Sequence, residues 1–130
     1  MIKEFNNLEE IQKYYNKETN TYVFIEDNRY IDLVVFNFDL DIKADIEAKD
    51  IKACIINSKD INALDINAIC INAEDINASN INAYNIYAND ISYCAVCFAY
   101  NNIKCKSIKG RRKNARHFVL DGKLEVEVKQ

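Results

Sequence analysis

A mainly β fold, a parallel β-solenoid, is predicted by three features of this sequence. Isoleucine recurs at every fifth position from Ile46 to Ile91, ten times in register. A small residue, alanine or serine, stands two positions after nine of these ten isoleucines, and Asp or Asn directly precedes eight of them. The repeated unit is Asp-Ile-Asn-Ala-x.

The five-residue spacing excludes a helix. Five steps of about 100° each would scatter successive isoleucines around a helix axis. In an extended segment, residues n and n+2 point to the same side, so each isoleucine and its alanine face inward and the asparagine between them faces water. The x-Asp pair then turns the chain, because Asp and Asn tolerate turn conformations. Position x is too polar for a core: Lys49, Cys54, Lys59, Leu64, Ile69, Glu74, Ser79, Tyr84, Asn89 and Cys94.

The repeat resembles that of the pentapeptide-repeat family, with a variant order in which isoleucine precedes alanine. The resemblance covers residues 41–110 and implies a right-handed, four-sided β-helix with about 20 residues per coil. Residue n would then lie under residue n+20, placing Ile46 under Ile66. About three such coils, each adding about 4.8 Å, would form a solenoid about 15 Å long.

The whole chain, residues 1–130, is predicted to be one domain with a cap at each end of the solenoid. Residues 1–20 should contain a short helix with Asn7 as N-cap, Glu10 three residues later, and Leu8, Ile11 and Tyr15 on one face. Residues 21–40 should supply two strands, separated by a turn at 26–29, that lead into the first coil.

The C-terminal part departs from the regular repeat. After Val96 the spacing shifts by two residues to Phe98, Ile103 and Ile108, which indicates an inserted irregularity. The solenoid should reach Gly110. Residues 111–130 are predicted to be a basic loop followed by a hairpin cap, with strands at 118–120 and 124–128 around Asp121-Gly122.

Composition favours a cytoplasmic protein that does not enter a membrane. No apolar run approaches a membrane span, and the N-terminus lacks the apolar core of a signal peptide. The five cysteines lie mostly among apolar neighbours, as reduced thiols used as small hydrophobic residues would. A disulfide framework is not expected.

Charge is divided sharply along the chain. Residues 1–103 hold 17 acids and 8 bases, a net charge of −9, whereas residues 104–117 hold seven bases and no acid. Two candidate interaction surfaces follow. The acidic face consists of Asp60, Asp65, Glu74, Asp75 and Asp90, and the basic patch consists of Lys104, Lys106, Lys109, Arg111, Arg112, Lys113 and Arg116.

Neither surface has a function that the sequence alone assigns. Aspartate suits solenoid corners without any further role. In pentapeptide-repeat proteins that protect or inhibit DNA gyrase, an acidic solenoid imitates DNA, and this sequence is similar in repeat and in sign. The basic patch would suit phosphates or an acidic protein, or would be a solvated terminal loop without a partner.

Metal binding and catalysis have little support. Cys94, Cys97, Cys105 and His117 could in principle hold zinc, but the second pair lacks the required tight spacing. Cys105 follows Ile103 by two and is expected in the core. The chain has no phosphate-binding glycine loop and no nucleophile motif. We expect no metal, no cofactor and no catalytic residue.

The sequence therefore predicts a non-enzymatic interaction protein. Its expected target is a host protein or nucleoprotein that handles nucleic acid, with this chain acting as an inhibitor or nucleic-acid mimic from a phage or mobile element. One alternative is a nucleic-acid-binding protein that uses residues 104–117. Another is a structural solenoid that self-associates, for example as a homodimer through one of its ends.

Overall fold

The computed structural model describes residues 1–127 and is mainly β, with one 3-10 helix at Leu8–Tyr14. No helix in this range has the length and apolar character to cross a bilayer. The strands are β1 (Ile2–Phe5), β2 (Tyr15–Asn16), β3 (Thr21–Val23), β4 (Ile25–Glu26), β5 (Arg29–Tyr30), β6 (Leu33–Phe36), β7 (Leu40–Asp41), β8 (Asp45–Glu47), β9 (Asp50–Asn57), β10 (Ile61–Asn62), β11 (Asp65–Asn72), β12 (Asp75–Tyr87), β13 (Asp90–Cys105), β14 (Ser107–Gly110), β15 (Arg116–Val119) and β16 (Lys123–Val126).

The chain forms the predicted parallel β-solenoid, but each regular coil contains 15 residues and three sides. Ile61 pairs in parallel with Ile46 and with Ile76, fifteen positions away in each direction. The expected four-sided coil of about 20 residues, with Ile46 under Ile66, is therefore wrong. The repeat length sets the length of one side and one corner, whereas the angle of the corner decides whether three or four sides close a coil.

Three rows of isoleucines fill the interior, one row for each face of the solenoid. The predicted orientation is confirmed, since none of the ten isoleucines is more than 2% exposed. Most of the paired alanines are buried beside them. The first face carries Ile46, Ile61, Ile76 and Ile91, the second face carries Ile51, Ile66 and Ile81, and the third face carries Ile56, Ile71 and Ile86.

The solenoid extends beyond residues 41–110 at both ends. The second face stacks seven strands, in the order β1, β6, β9, β11, β12, β13 and β15. With a step of about 4.8 Å between neighbouring strands, this row is about 29 Å long. The structure is longer than predicted because a coil uses fewer residues and because both terminal segments supply strands of their own.

The N-terminal segment combines a solenoid strand with a short helix. Strand β1 lies within the region predicted as helical and pairs in parallel with β6. The Asn7 cap is confirmed: its side chain accepts a hydrogen bond from the Glu10 amide at 3.1 Å. Ile11 and Tyr14 are the buried pair of this helix, instead of the predicted Leu8, Ile11 and Tyr15. A 3-10 helix has three residues per turn, so positions 11 and 14 share a face.

Aromatic rings close the N-terminal end of the core. Phe5 packs against Tyr14, Phe24 and Phe36, with ring centroids 5.6 to 5.9 Å apart. The predicted turn at residues 26–29 is confirmed as the tip of the β4-β5 hairpin. Its two central residues, Asp27 and Asn28, have φ of 51° and 65°, as a two-residue hairpin turn requires.

The predicted C-terminal hairpin is wrong. Strands β15 and β16 each pair in parallel with β13 and so form two sides of another coil. Asp121 and Gly122 make a corner of that coil instead of a hairpin turn. Gly122 allows this close approach, because a Cβ there would lie 1.5 Å from the Asn101 carbonyl oxygen. Val128, the predicted end of the second strand, lies outside the described residues.

Two insertions of one residue widen one coil, as the shift in spacing predicted, but the first lies before Val96 and only the second lies after it. Strand β13 pairs with β12 at an offset of 15 residues at Asp90, 16 at Val96 and 17 at Asn102. Each insertion lies at a corner. As a result Cys97 takes the isoleucine position of the second face, and Phe98, which was predicted to face inward, takes the outward position next to Asn82. The inward placement of Ile103 is confirmed.

Candidate interaction surfaces

The predicted acidic face is divided between two corners. Asp60, Asp75 and Asp90 occupy successive coils at the corner between the third and first faces, in one row with Asp45. We call this row the aspartate corner. Glu74 lies beside it, since its amide donates to the carbonyl of Lys59. Asp65 lies on a different corner, between the first and second faces, where it pairs with Asp50. The five acids therefore do not form one surface.

Partial burial and mutual repulsion within these rows perturb two carboxyl groups. Partial burial raises the pKa of Asp75, and the neighbouring carboxylates of Asp60 and Asp90 raise it further. Partial burial and the charge of Asp65 raise the pKa of Asp50 in the same way. The rows are thus a cost to folding at neutral pH, as like charges on neighbouring strands usually are.

Asp75→Asn should stabilise the protein at pH 7 by about 0.2–1 kcal/mol. Because the pKa of Asp75 is raised in the folded state, its ionisation opposes folding as the pH rises above the unfolded-state pKa, and the full cost is present above the folded-state pKa. The asparagine oxygen still accepts a hydrogen bond. Urea denaturation at pH 7 should show the gain, and at pH 3, where Asp75 is mostly protonated, the gain should vanish. Asp39→Asn is the matched control, because it removes one carboxylate charge outside the aspartate corner. An Asp75→Asn protein that is no more stable than wild type at pH 7 would contradict this account.

The predicted basic patch is also dispersed, because the segment wraps around the last two coils. Lys104 lies on the third face between Tyr87 and Glu125, and Lys109 lies on the first face next to Ser92. Lys106 lies at the corner between these two faces, where its amide donates to the Asn89 carbonyl. The sequence predicted one patch because it could not show how the coil distributes consecutive residues.

Arg111 has a structural role within that segment. Its guanidinium bonds to the side chain of Asn77 and, at 2.9 Å, to the carbonyl oxygen of Ala78, more than thirty positions earlier in the chain. Arg112 and Lys113 lie in the turn that follows, and Arg116 begins β15 on the second face. We call these three exposed residues the basic corner.

The four residues considered for zinc differ in burial and in the groups they contact. Cys97 and Cys105 are buried in the core, as predicted for Cys105, whereas Cys94 is only partly buried. Burial raises the pKa of the Cys97 thiol to about 12. His117 faces inward, and its Nδ1 lies 2.6 Å from the Tyr93 hydroxyl. In residues 1–127 no group of three or more His, Cys, Asp or Glu side chains is arranged to hold a metal ion.

The corner between the second and third faces carries a large exposed apolar side chain in each of five coils. These side chains are Ile55, Ile69, Tyr84, Tyr100 and Leu120, between 38% and 60% exposed. We call this row the apolar corner. Cys54 and Asp121 are exposed at the same corner. The rings of Tyr84 and Tyr100 stack at 5.3 Å. Isolated exposed apolar residues are ordinary on protein surfaces, whereas a contiguous row of them is typical of interaction sites.

The apolar corner continues onto the C-terminal half of the second face. Phe98 and Phe118 face outward there from neighbouring strands, with ring centroids 4.9 Å apart. Together with Val96 they border a shallow hollow whose other lining residues are Asn80, Ile81 and Asn82. The apolar corner, Val96, Phe98 and Phe118 together are called the apolar surface below.

Sequence reasoning missed the apolar surface because it treated position x as a single class. With a 15-residue coil, every third x residue shares a corner. Cys54, Ile69 and Tyr84 then fall on the apolar corner, whereas Lys59, Glu74 and Asn89 fall beside the aspartates. A second signal was present, since Ile55 and Cys70, the two exceptions to the Asp or Asn rule, also fall on the apolar corner.

Comparison with protein-family models, with curated protein sequences and with solved structures found no match to this chain. The membership in the pentapeptide-repeat family that the sequence suggested therefore stays a resemblance in the repeat.

Proposed function

We propose that this chain is a non-enzymatic interaction protein that binds a protein partner through the apolar surface. The observation that carries the proposal is the unbroken exposed row from Ile55 to Leu120 together with Phe98 and Phe118. The centres of protein interfaces are enriched in tyrosine and phenylalanine and depleted of charged residues, and this surface has that composition. All of its side chains except that of Leu120 stand on paired strands, so little order has to be gained on binding.

The aspartate corner supports nucleic-acid mimicry less well. Its row offers one carboxylate per coil, a spacing of about 4.8 Å, whereas duplex DNA carries one charge per about 1.7 Å of axis. The row thus has about a third of the charge density of a duplex, and Asp65 does not add to it. A partner that recognises uncharged side chains fits the structure better than one that recognises a polyanion.

The proposal is tested by affinity capture with tagged protein from cells that produce it, comparing Ile69→Asp and Leu64→Asp. These residues are a matched pair, since Ile69 is 50% exposed on the apolar corner and Leu64 is 49% exposed on the corner between the first and second faces. We expect wild type and Leu64→Asp to retain the same partner and Ile69→Asp to lose it, with an affinity reduced at least about ten-fold for the purified pair.

Two outcomes would refute the proposal that the partner binds to the apolar surface. Equal capture by all three proteins would remove the apolar corner from the interaction. Loss of the partner with Asp75→Lys, while Ile69→Asp retains it, would assign binding to the aspartate corner instead. Sedimentation of the purified chain tests whether the surface binds a second copy of this protein. A dimer that Ile69→Asp dissociates would show that it does.

A further inference from the structure

We propose that the hollow on the second face receives a bulky apolar side chain from an acidic peptide segment, whose carboxylates pair with the basic corner. This inference rests on the proposed function and names the chemistry of the partner at one part of the apolar surface. It is drawn from the shape of the hollow, from the charges around it and from the charge of the rest of the molecule.

The hollow arises where side-chain size changes between neighbouring coils. Asn67 and Asn82 occupy the outward row of the second face in the regular coils, and Phe98 and Phe118 continue that row. The short amides beside the large rings leave a depression that Val96 and Asn80 border on the side of the first face. Its walls are mostly carbon, and the asparagine amides provide hydrogen-bonding groups. Such a site suits one leucine or aromatic side chain.

Positive charges lie on the C-terminal side of the hollow. Arg116 is the register neighbour of Val96, and Arg112 and Lys113 lie in the turn just before β15. No acidic side chain lines the hollow. On the opposite, N-terminal side, the Asp65 carboxylate accepts a hydrogen bond from the Asn80 side chain at 2.9 Å. A peptide whose apolar anchor enters the hollow and whose carboxylates lie on the side of the basic corner, away from Asp65, therefore complements both features.

The charge of the whole molecule favours a short acidic segment over a nucleic acid. Phosphate backbones also bind arginine, and bases stack on aromatic rings such as Phe118. A long polyanion, however, would extend over coils in which residues 60–103 contain five acids and no base. A peptide with two or three carboxylates needs only the local positive charge. The geometry thus points to a protein ligand.

The inference is tested by selecting random dodecapeptides displayed on phage against the purified full chain. We expect the enriched peptides to carry a leucine or aromatic residue flanked by at least two acids. The best peptide, made synthetically and labelled, should lose affinity at least about ten-fold with Phe118→Ala and with the double variant Arg112→Glu, Lys113→Glu. Lys106→Glu, Lys109→Glu makes the same charge change on other parts of the last coils and should alter binding less than two-fold. Leu64→Ala is the control for Phe118→Ala, as these residues are 49% and 48% exposed.

Several results would overturn the inference. Enrichment of basic or uncharged peptides, or of no peptides, would show that the hollow does not select an acidic ligand. Equal losses of peptide affinity with the two double variants would show that only the net charge of the protein matters and not the position of the basic corner. Tighter binding of oligo-dT than of the peptide, abolished by Phe118→Ala and weakened steeply by salt, would assign the site to single-stranded nucleic acid. In each case, partner capture that depends on Ile69 would leave the proposed function standing.

Discussion

Replacing Ile71 by alanine is expected to lower the free energy of unfolding by about 2–5 kcal/mol, the range for truncating a buried isoleucine. Ile71 is fully buried on the third face and stacks between Ile56 and Ile86 in the neighbouring coils. The cavity would be enclosed by hydrogen-bonded strands above and below. Those strands hold their spacing through the backbone ladder, so they cannot collapse to fill the space.

Ile69→Ala is the matched control, because it makes the same chemical change two residues earlier in β11. Ile69 is 50% exposed and its truncation should change stability by no more than about 0.5 kcal/mol. Urea denaturation followed by circular dichroism measures both variants, and similar slopes would show that the same structure unfolds in each. Equal losses at the two positions would contradict the placement of Ile69 at an exposed corner and of Ile71 in the core.

Replacing Tyr93 by alanine is expected to destabilise the protein by about 3–5 kcal/mol, the loss typical of removing a buried aromatic ring. The sequence pattern suggests the opposite, since alanine or serine occupies this position in the nine preceding repeats. Tyr93 is 1% exposed and has the small residues Ala78 and Gly110 as its partners in the neighbouring strands. In the widened coil, its ring fills space that alanine would leave empty.

Tyr93→Phe measures the contribution of the hydroxyl group to stability separately from that of the ring. It should cost about 0.5–1.5 kcal/mol, because only the hydrogen bond with His117 is lost. The measurement is again urea denaturation, with hydrogen exchange of the β14 amides as a local reading of the last coil. A Tyr93→Ala protein as stable as wild type would show that the neighbouring side chains close the space left by the ring.

Local residue choices allowed much of the solenoid to be predicted. Side chains two residues apart in a strand point to the same side, so the isoleucine and alanine rows identify the core without knowledge of the coil. The Asn7 cap and the turn at Asp27-Asn28 were also predictable, because each depends only on residues a few positions apart in the chain. The type of the first helix was not predictable, because it depends on packing against Phe5 and Phe24.

The candidate surface could not be found until the coil was known. Ile69 and Tyr84 are fifteen residues apart and lie side by side in a 15-residue coil, whereas in a 20-residue coil they would occupy different sides. That error comes from one unknown quantity, the angle through which the x-Asp corner turns the chain. The acidic face and the basic patch were wrong for another reason, because they grouped residues by nearness in sequence. Asp65 and Asp75, like Lys104 and Arg116, are spaced along the chain so that they cannot share a corner in a coil of either size.

The sequence by itself therefore determined that the chain winds into a parallel β-solenoid and which side chains fill its interior. Only the tertiary structure decided that three sides close a coil, that Phe98 and Phe118 face outward, and that the last strands stack as another coil instead of pairing as a hairpin. The physical reason is the range of the interactions. Inward and outward alternation follows from the dihedral angles of neighbouring residues, whereas the identity of a residue's neighbour in the next coil depends on every corner between them.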